Sequence, residues 1–188
     1  MSSDRIARTL EVARQVSAIL REANVRCMVI GAAALAVHGY ARQSVDLDLA
    51  TYENPFENFK NLVIQISAAG FQVEAVTPDA DDPLGGVINV TGADFDPVQI
   101  INFMNPLRPQ RVHKLVGEAL AELTENTGEL QVVSAELLVL LKLYAGDAQS
   151  QSDIRRLIET NQQLDTTRIA ALALTAGLDH VWNDFLRK

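Results

Sequence analysis

The stretch "GYARQSVDLDLAT", Gly39 to Thr51, decides how this chain is read. It sets two aspartates one residue apart inside an otherwise apolar strand. Side chains alternate across a strand, so Asp46 and Asp48 share one face while Val45, Leu47 and Leu49 share the other. Their Cα atoms then lie about 6–7 Å apart. Like charges held that close repel, and nothing in packing rewards them. The pattern calls for something positive between them.

Upstream, "VRCMVI" (25–30) reads as a short buried strand running into Gly31, and "AAALAVHGY" as a short helix stopped by Gly39. A glycine lets a phosphate approach the backbone closely, and a helix start offers unpaired N–H groups and partial positive charge. The spacing suits a triphosphate at Gly31 and the amides that follow, with a divalent ion bridging it to the two carboxylates. Mg²⁺ commonly takes one or two carboxylates together with phosphate oxygens.

Further out, 4–23 reads as an amphipathic helix with Ile6, Leu10, Ala13, Ser17 and Leu20 near helical spacing. Asn54-Pro55 starts a helix over 56–69, closed by Gly70. "FQVEAV" (71–76), "VINVTG" and "PVQIINF" read as strands, the last two as a hairpin around "ADFD". From Pro109 the pattern turns helical: a helix near 110–120, a short strand in "ELQVVS", a helix capped by Ser134 and ended by Gly146, then three more helical pieces. The expected fold class is α/β: a small mixed sheet flanked by helices over 1–108, with a mostly helical region, 109–188, packed on it.

"VIGAAALAVHGYARQSVDLDLAT" resembles the first motif of the nucleotidyltransferase superfamily, the polymerase-beta-like fold. There, Gly-Gly or Gly-Ser precedes a short helix and then Asp-x-Asp on a strand. The closer similarity is to small bacterial proteins related to the AbiEii toxin group, whose Arg-x-Ser/Thr-x-Asp-φ-Asp string is matched by Arg42, Ser44, Asp46 and Asp48. "VVSAELLVLLKLYAGDAQSQSDIRRLIE" is similar to that group's helical motif, through Ser134, Lys142, Ala145, Gly146, Asp153 and Ile154.

The resemblance implies a Mg²⁺-dependent transfer of a nucleoside monophosphate from an NTP to a hydroxyl, on an RNA end or a protein, and a setting with a cognate antitoxin. Asp46 and Asp48 would hold the metal. Gly31, Ala32, Arg42, Ser44 and Lys142 would meet the nucleotide. Two positions depart from the family. Ala32 replaces the usual serine, which removes a hydroxyl near the phosphates. Gln99 falls where the family carries a third carboxylate, so Asp96, or Asp94, is left to reach in as the third catalytic acid. A non-catalytic nucleotide- or partner-binding protein of the same fold is the alternative. For Lys142, solvent and the nucleotide phosphates are equally expected; for Arg42, an aspartate and a phosphate are. For Asp153, a capping or lysine-pairing role is expected ahead of catalysis.

Composition narrows the classes. The chain has 188 residues, 48% hydrophobic, enough for a real core. A net charge of −8 argues against a broad basic nucleic-acid surface. Arg108, Arg111, His113 and Lys114 read as a solvated loop-to-helix boundary. One cysteine, Cys27, allows no intrachain disulfide, and no run is long enough to cross a bilayer, so a cytoplasmic protein without membrane partners is expected. His38, His113 and His180 share no zinc-ligand spacing. No Gly-x-Gly-x-x-Gly or Walker-type loop is present.

Overall fold

The computed structural model describes residues 3–123 and 129–187. The elements run α1 (Ser3–Glu22), β1 (Met28–Val29), α2 (Gly31–Val37), β2 (Leu47–Thr51), α3 (Phe59–Ala68), β3 (Gln72–Val76), β4 (Val87–Thr91), β5 (Val98–Asn102), α4 (Arg111–Glu122), α5 (Ala135–Ala145), α6 (Ala148–Thr160), α7 (Thr166–Ala176) and α8 (Asp179–Leu186). One mixed sheet has the order β1-β2-β5-β4-β3. Only β2 and β5 pair parallel; β1–β2, β4–β5 and β3–β4 are antiparallel.

Alternation decides which face is covered. Leu47, Leu49, Ile88, Val90, Val98 and Ile100 are buried, and α1 and α3 lie on this side through Val12, Val16, Leu20, Phe59, Leu62 and Ile66. The opposite face carries Asp48, Gln99, Asn89 and Glu74, which are half-buried to exposed. The helical second half packs through α5 on α2 and through α4 on β2, where Gly117 leaves room for the Tyr52 ring. Its core, with Leu138, Leu140, Ile154, Leu157, Ile169 and Trp182, is continuous with that of the sheet.

Several boundaries differ from the expectation. The strand read at 25–30 pairs only over Met28–Val29, because β1 is a short edge that β2 leaves at Leu49. Its other side is completed from "ELQVVS" by a single bridge, Val29 to Val132, so that stretch is no strand of its own. The helix read from 56 begins at Phe59, after a turn in which Asn54 Oδ1 accepts from Phe56 N. On α1 the buried stripe runs through Val12, Ala13, Val16 and Leu20, and Ile6 lies half exposed. Ser134 and Gly146 do bound α5: Ser134 Oγ accepts from Leu137 N at 3.3 Å, and Gly146 adopts φ 71°.

Candidate active site

Regular pairing of β2 begins at Leu47, so Asp48 stands on the strand and Asp46 in the segment leading into it. Asp46 is fixed by its neighbour, since Ser44 Oγ donates to Asp46 Oδ1 at 2.7 Å. Asp48 faces Gly31. Ile30 N donates to the Asp48 carbonyl at 3.0 Å, which ties the start of α2 to β2. Gly31 has φ 66°, and a Cβ built on it would overlap Asp48 Oδ2. Glycine is therefore required twice at this position, by backbone conformation and by the carboxylate against it. Ala32 follows, buried, with no hydroxyl to offer.

The Asp48 carboxyl is pushed up to about 6, chiefly by burial and then by Asp46; Lys142 and Arg42 pull it back down. The two cations thus lie close enough to act on the site, and one acid holds both. Lys142 Nζ donates to Asp153 Oδ2 at 2.6 Å, and Arg42 Nε donates to Asp153 Oδ1 at 3.0 Å and to Oδ2 at 3.2 Å. Gln149 Nε2 adds a bond to Oδ1 at 2.8 Å. Asp153 is fully buried and Lys142 is 8% exposed. The lysine does not snorkel to solvent, and the aspartate that Arg42 meets is Asp153, supplied by α6. This ion-pair role for Asp153 agrees with the lysine-pairing reading; Gln149 is a member the sequence did not flag.

Gln99, which the resemblance sets at the third position, lies on β5 beside β2. It is the Cα partner of Asp48 across the parallel β2–β5 pair. Its Nε2 donates to Asn89 Oδ1 at 2.9 Å, and Asn89 is its cross-strand partner on β4. The amide at the third position is thus held by a second amide. Asp96, expected to complete the site, is engaged elsewhere: Arg5 Nε of α1 donates to its Oδ1 at 2.5 Å, and its N–H meets Thr9 Oγ1 at 2.9 Å. Asp94 pairs with Arg8 at 3.0 Å. Both acids staple the β4–β5 turn to α1. Asp96 precedes the paired residues of β5, which begin at Val98, and its placement is set by Arg5 and Thr9 of α1.

Asp46 and Asp48 form a hard, all-oxygen donor pair. Among the described residues no group of three or more His, Cys, Asp or Glu converges. An ion there would complete its shell with water and substrate oxygens, which is how Mg²⁺ is usually held. The raised Asp48 carboxyl marks a place where added positive charge is favourable, so the donor set fits that metal. No helix among the described residues is long and apolar enough to cross a membrane.

No protein-family model matches the chain, and no curated protein matches it in sequence. Solved structures do match in shape. The antibiotic-resistance factor ANT(2'')-Ia aligns over 97% of this chain and 92% of its own, with TM-score 0.51 and 14% identity. An antigenic nucleotidyltransferase-like protein from Paracoccidioides brasiliensis aligns over 97% and 94%, with TM-score 0.50 and 16% identity. At such identities the agreement is one of architecture, and by its architecture this chain is a nucleotidyltransferase-fold protein.

Proposed function

We propose that this chain transfers a nucleoside monophosphate from an NTP to a hydroxyl acceptor. The observation that carries the reading is Gly31 pressed against Asp48, with Asp46 beside it and Arg42 and Lys142 near. Asp46 and Asp48 would hold Mg²⁺, which supplies polarisation of the reacting phosphoryl group when bound. Gly31, lacking a side chain, lets the Asp48 carboxylate close on the start of α2, and the amides that follow would meet a phosphate oxygen. Arg42 and Lys142 offset triphosphate charge while Asp153 fixes where they stand. Ser44 orients Asp46 through its hydroxyl. Gln99 accepts no proton at neutral pH, so the acceptor's proton leaves to solvent.

A second reading has its own support. Gln99, held by Asn89, occupies the register position opposite Asp48, and a neutral amide weakens catalysis more than nucleotide binding. A non-catalytic nucleotide-binding protein would carry this arrangement equally well. The AbiEii resemblance adds a toxin role with a cognate antitoxin, read out as growth arrest on expression that Asp48→Asn relieves.

The test uses labelled NTPs, Mg²⁺ and a panel of hydroxyl acceptors, with Asp46→Ala and Asp48→Asn alongside. Transfer that disappears in both variants supports the transferase. Transfer that survives either one removes it. NTP binding without transfer to any acceptor leaves the binding protein.

A further inference from the structure

Asp48, Gln99 and Asn89 stand in one row on the open face of the sheet, all three half-buried. Asp48 is the Cα partner of Gln99 across β2–β5, and Gln99 is the Cα partner of Asn89 across β5–β4. Cross-strand partners share a face, and strands lie about 4.8 Å apart. Gln99 therefore has a carboxylate on one side and an amide on the other.

The Gln99 NH₂ has a choice between these neighbours. A hydrogen bond to a carboxylate is charge-assisted and roughly twice as strong as one to a neutral oxygen. Gln99 Nε2 nevertheless donates to Asn89 Oδ1, at 2.9 Å. Among the described residues no hydrogen bond is made to the Asp48 carboxylate. The two cations that act on it, Arg42 and Lys142, are both bonded to Asp153. Asp46 gives one oxygen to the Ser44 hydroxyl, which leaves its Oδ2 for a ligand. An amide carries its NH₂ and its oxygen on different sides of the carbon. With the NH₂ on Asn89, Gln99 Oε1 lies off that bond and is not used by it. The row thus sends no donor to Asp48, and a half-buried carboxylate is left bare beside an amide able to satisfy it.

We infer that Asn89 is a positioning residue: by holding the Gln99 NH₂ it keeps that donor off Asp48 and offers the Gln99 oxygen, as a neutral ligand, to the cation held by Asp46 and Asp48. The inference rests on the Mg²⁺ assignment made under the proposed function. It gives β4 a part in a site otherwise built from β2, β5 and the start of α2. It also fixes the charge of the donor set. Two carboxylates balance one divalent ion, and the amide adds an oxygen without adding charge. Without an acceptor at position 89, the Gln99 NH₂ turns to Asp48, occupies its carboxylate and sets a donor where the ion requires oxygen.

The probe is Mn²⁺, a paramagnetic substitute for Mg²⁺, titrated without nucleotide and followed by water proton relaxation. The natural chain is compared with Asp48→Asn, Asn89→Leu, Asn89→Asp, Gln99→Leu and the double variant Asn89→Leu/Gln99→Leu. Leucine matches asparagine in size and accepts no hydrogen bond; aspartate still accepts one. Thermal melts check that each variant is folded, and Asn89→Ala replaces Asn89→Leu if leucine disturbs the sheet. Asp48→Asn should lose Mn²⁺ binding. Asn89→Leu should weaken it about tenfold, the size seen when a ligand's supporting partner is removed. Asn89→Asp should keep the natural affinity, and Asn89→Leu should add nothing once Gln99 is replaced by leucine. Three results overturn the inference and leave the metal assignment standing, provided Asp48→Asn still abolishes binding. They are an unchanged affinity in Asn89→Leu, an Asn89→Asp variant as weak as Asn89→Leu, and a further loss in the double variant. A natural chain that takes up no Mn²⁺, or an Asp48→Asn variant that binds it as well, removes the metal assignment and the inference together.

Discussion

Gly31 and Asp48 constrain each other at the scale of single residues. Gly31→Ala must place a side chain in the left-handed region and move Asp48 aside, at a cost of about 2 kcal/mol or more. For a chain of this length that lowers Tm by roughly 5 °C. We expect calorimetry to show that drop and titration to show loss of NTP binding. Asp48→Asn should act in the opposite sense on stability. Folding raises the Asp48 carboxyl from its ordinary value to about 6, so the folded state binds a proton more readily than the unfolded one. Without metal, stability then rises as pH falls from above 6 toward 4, and at pH 7 the neutral asparagine removes a penalty of roughly 2–3 kcal/mol. Denaturant midpoints at pH 7 check this, with Mg²⁺-dependent nucleotide binding lost in the variant. In the natural chain that binding should weaken as pH drops through about 6, because protonation competes with the cation. Gln99 was legible in the sequence through the motif register on its own strand, which is local. Asp96 was not, because its partner Arg5 lies 91 residues away and no local pattern announces it.

Elements carry the next level. α5 starts at a serine cap and ends at a left-handed glycine, both readable from sequence because caps are chemistry of one or two residues. Ser134→Ala should cost about 1 kcal/mol, visible as a shifted urea midpoint with unchanged slope. The α5–α6 pair meets the segment before β2 at Asp153. Asp153→Asn strips the shared counter-charge from Arg42 and from the nearly buried Lys142, and breaking one partner of a buried pair costs about 3 kcal/mol or more. The same variant should also weaken NTP binding, since the two cations lose their fixed position; fluorescence titration of a labelled nucleotide would show it. The β1 and "ELQVVS" strands were over-read because apolar runs predict burial. How many residues pair is decided by the neighbouring strand, and β2 pairs with β1 over two residues.

For the molecule as a whole, the α/β front and helical back were legible because hydrophobic period switches from 2 to 3.6 along the chain. How the two parts join was not, since it rests on contacts distant in sequence. One such place is His113 on α4, which is 2% exposed and set edge-on to Phe103 of the front half and Tyr144 of α5. Neither ring nitrogen finds a hydrogen-bond partner; the carbonyls of Phe103 and Pro83 lie near but outside bonding geometry. Burial lowers its basicity to about 4, so the folded state excludes a proton that the unfolded chain takes up near 6.5. Stability is complete above that value and falls by about 3 kcal/mol as pH drops through 4. His113→Phe should flatten this acid limb, measured by unfolding at pH 7 and pH 4.5. The carboxylate of Asp153, shared by an arginine from the front half and a lysine from the back, has a consequence for engineering. A fragment ending at residue 108 would strand Arg42 without its counterion, and a chimera with a foreign helical tail would keep that arginine and lose the Asp153 carboxylate that holds it. Recombination should therefore tolerate crossovers only where both partners travel together, which makes this two-part chain a single exchangeable unit.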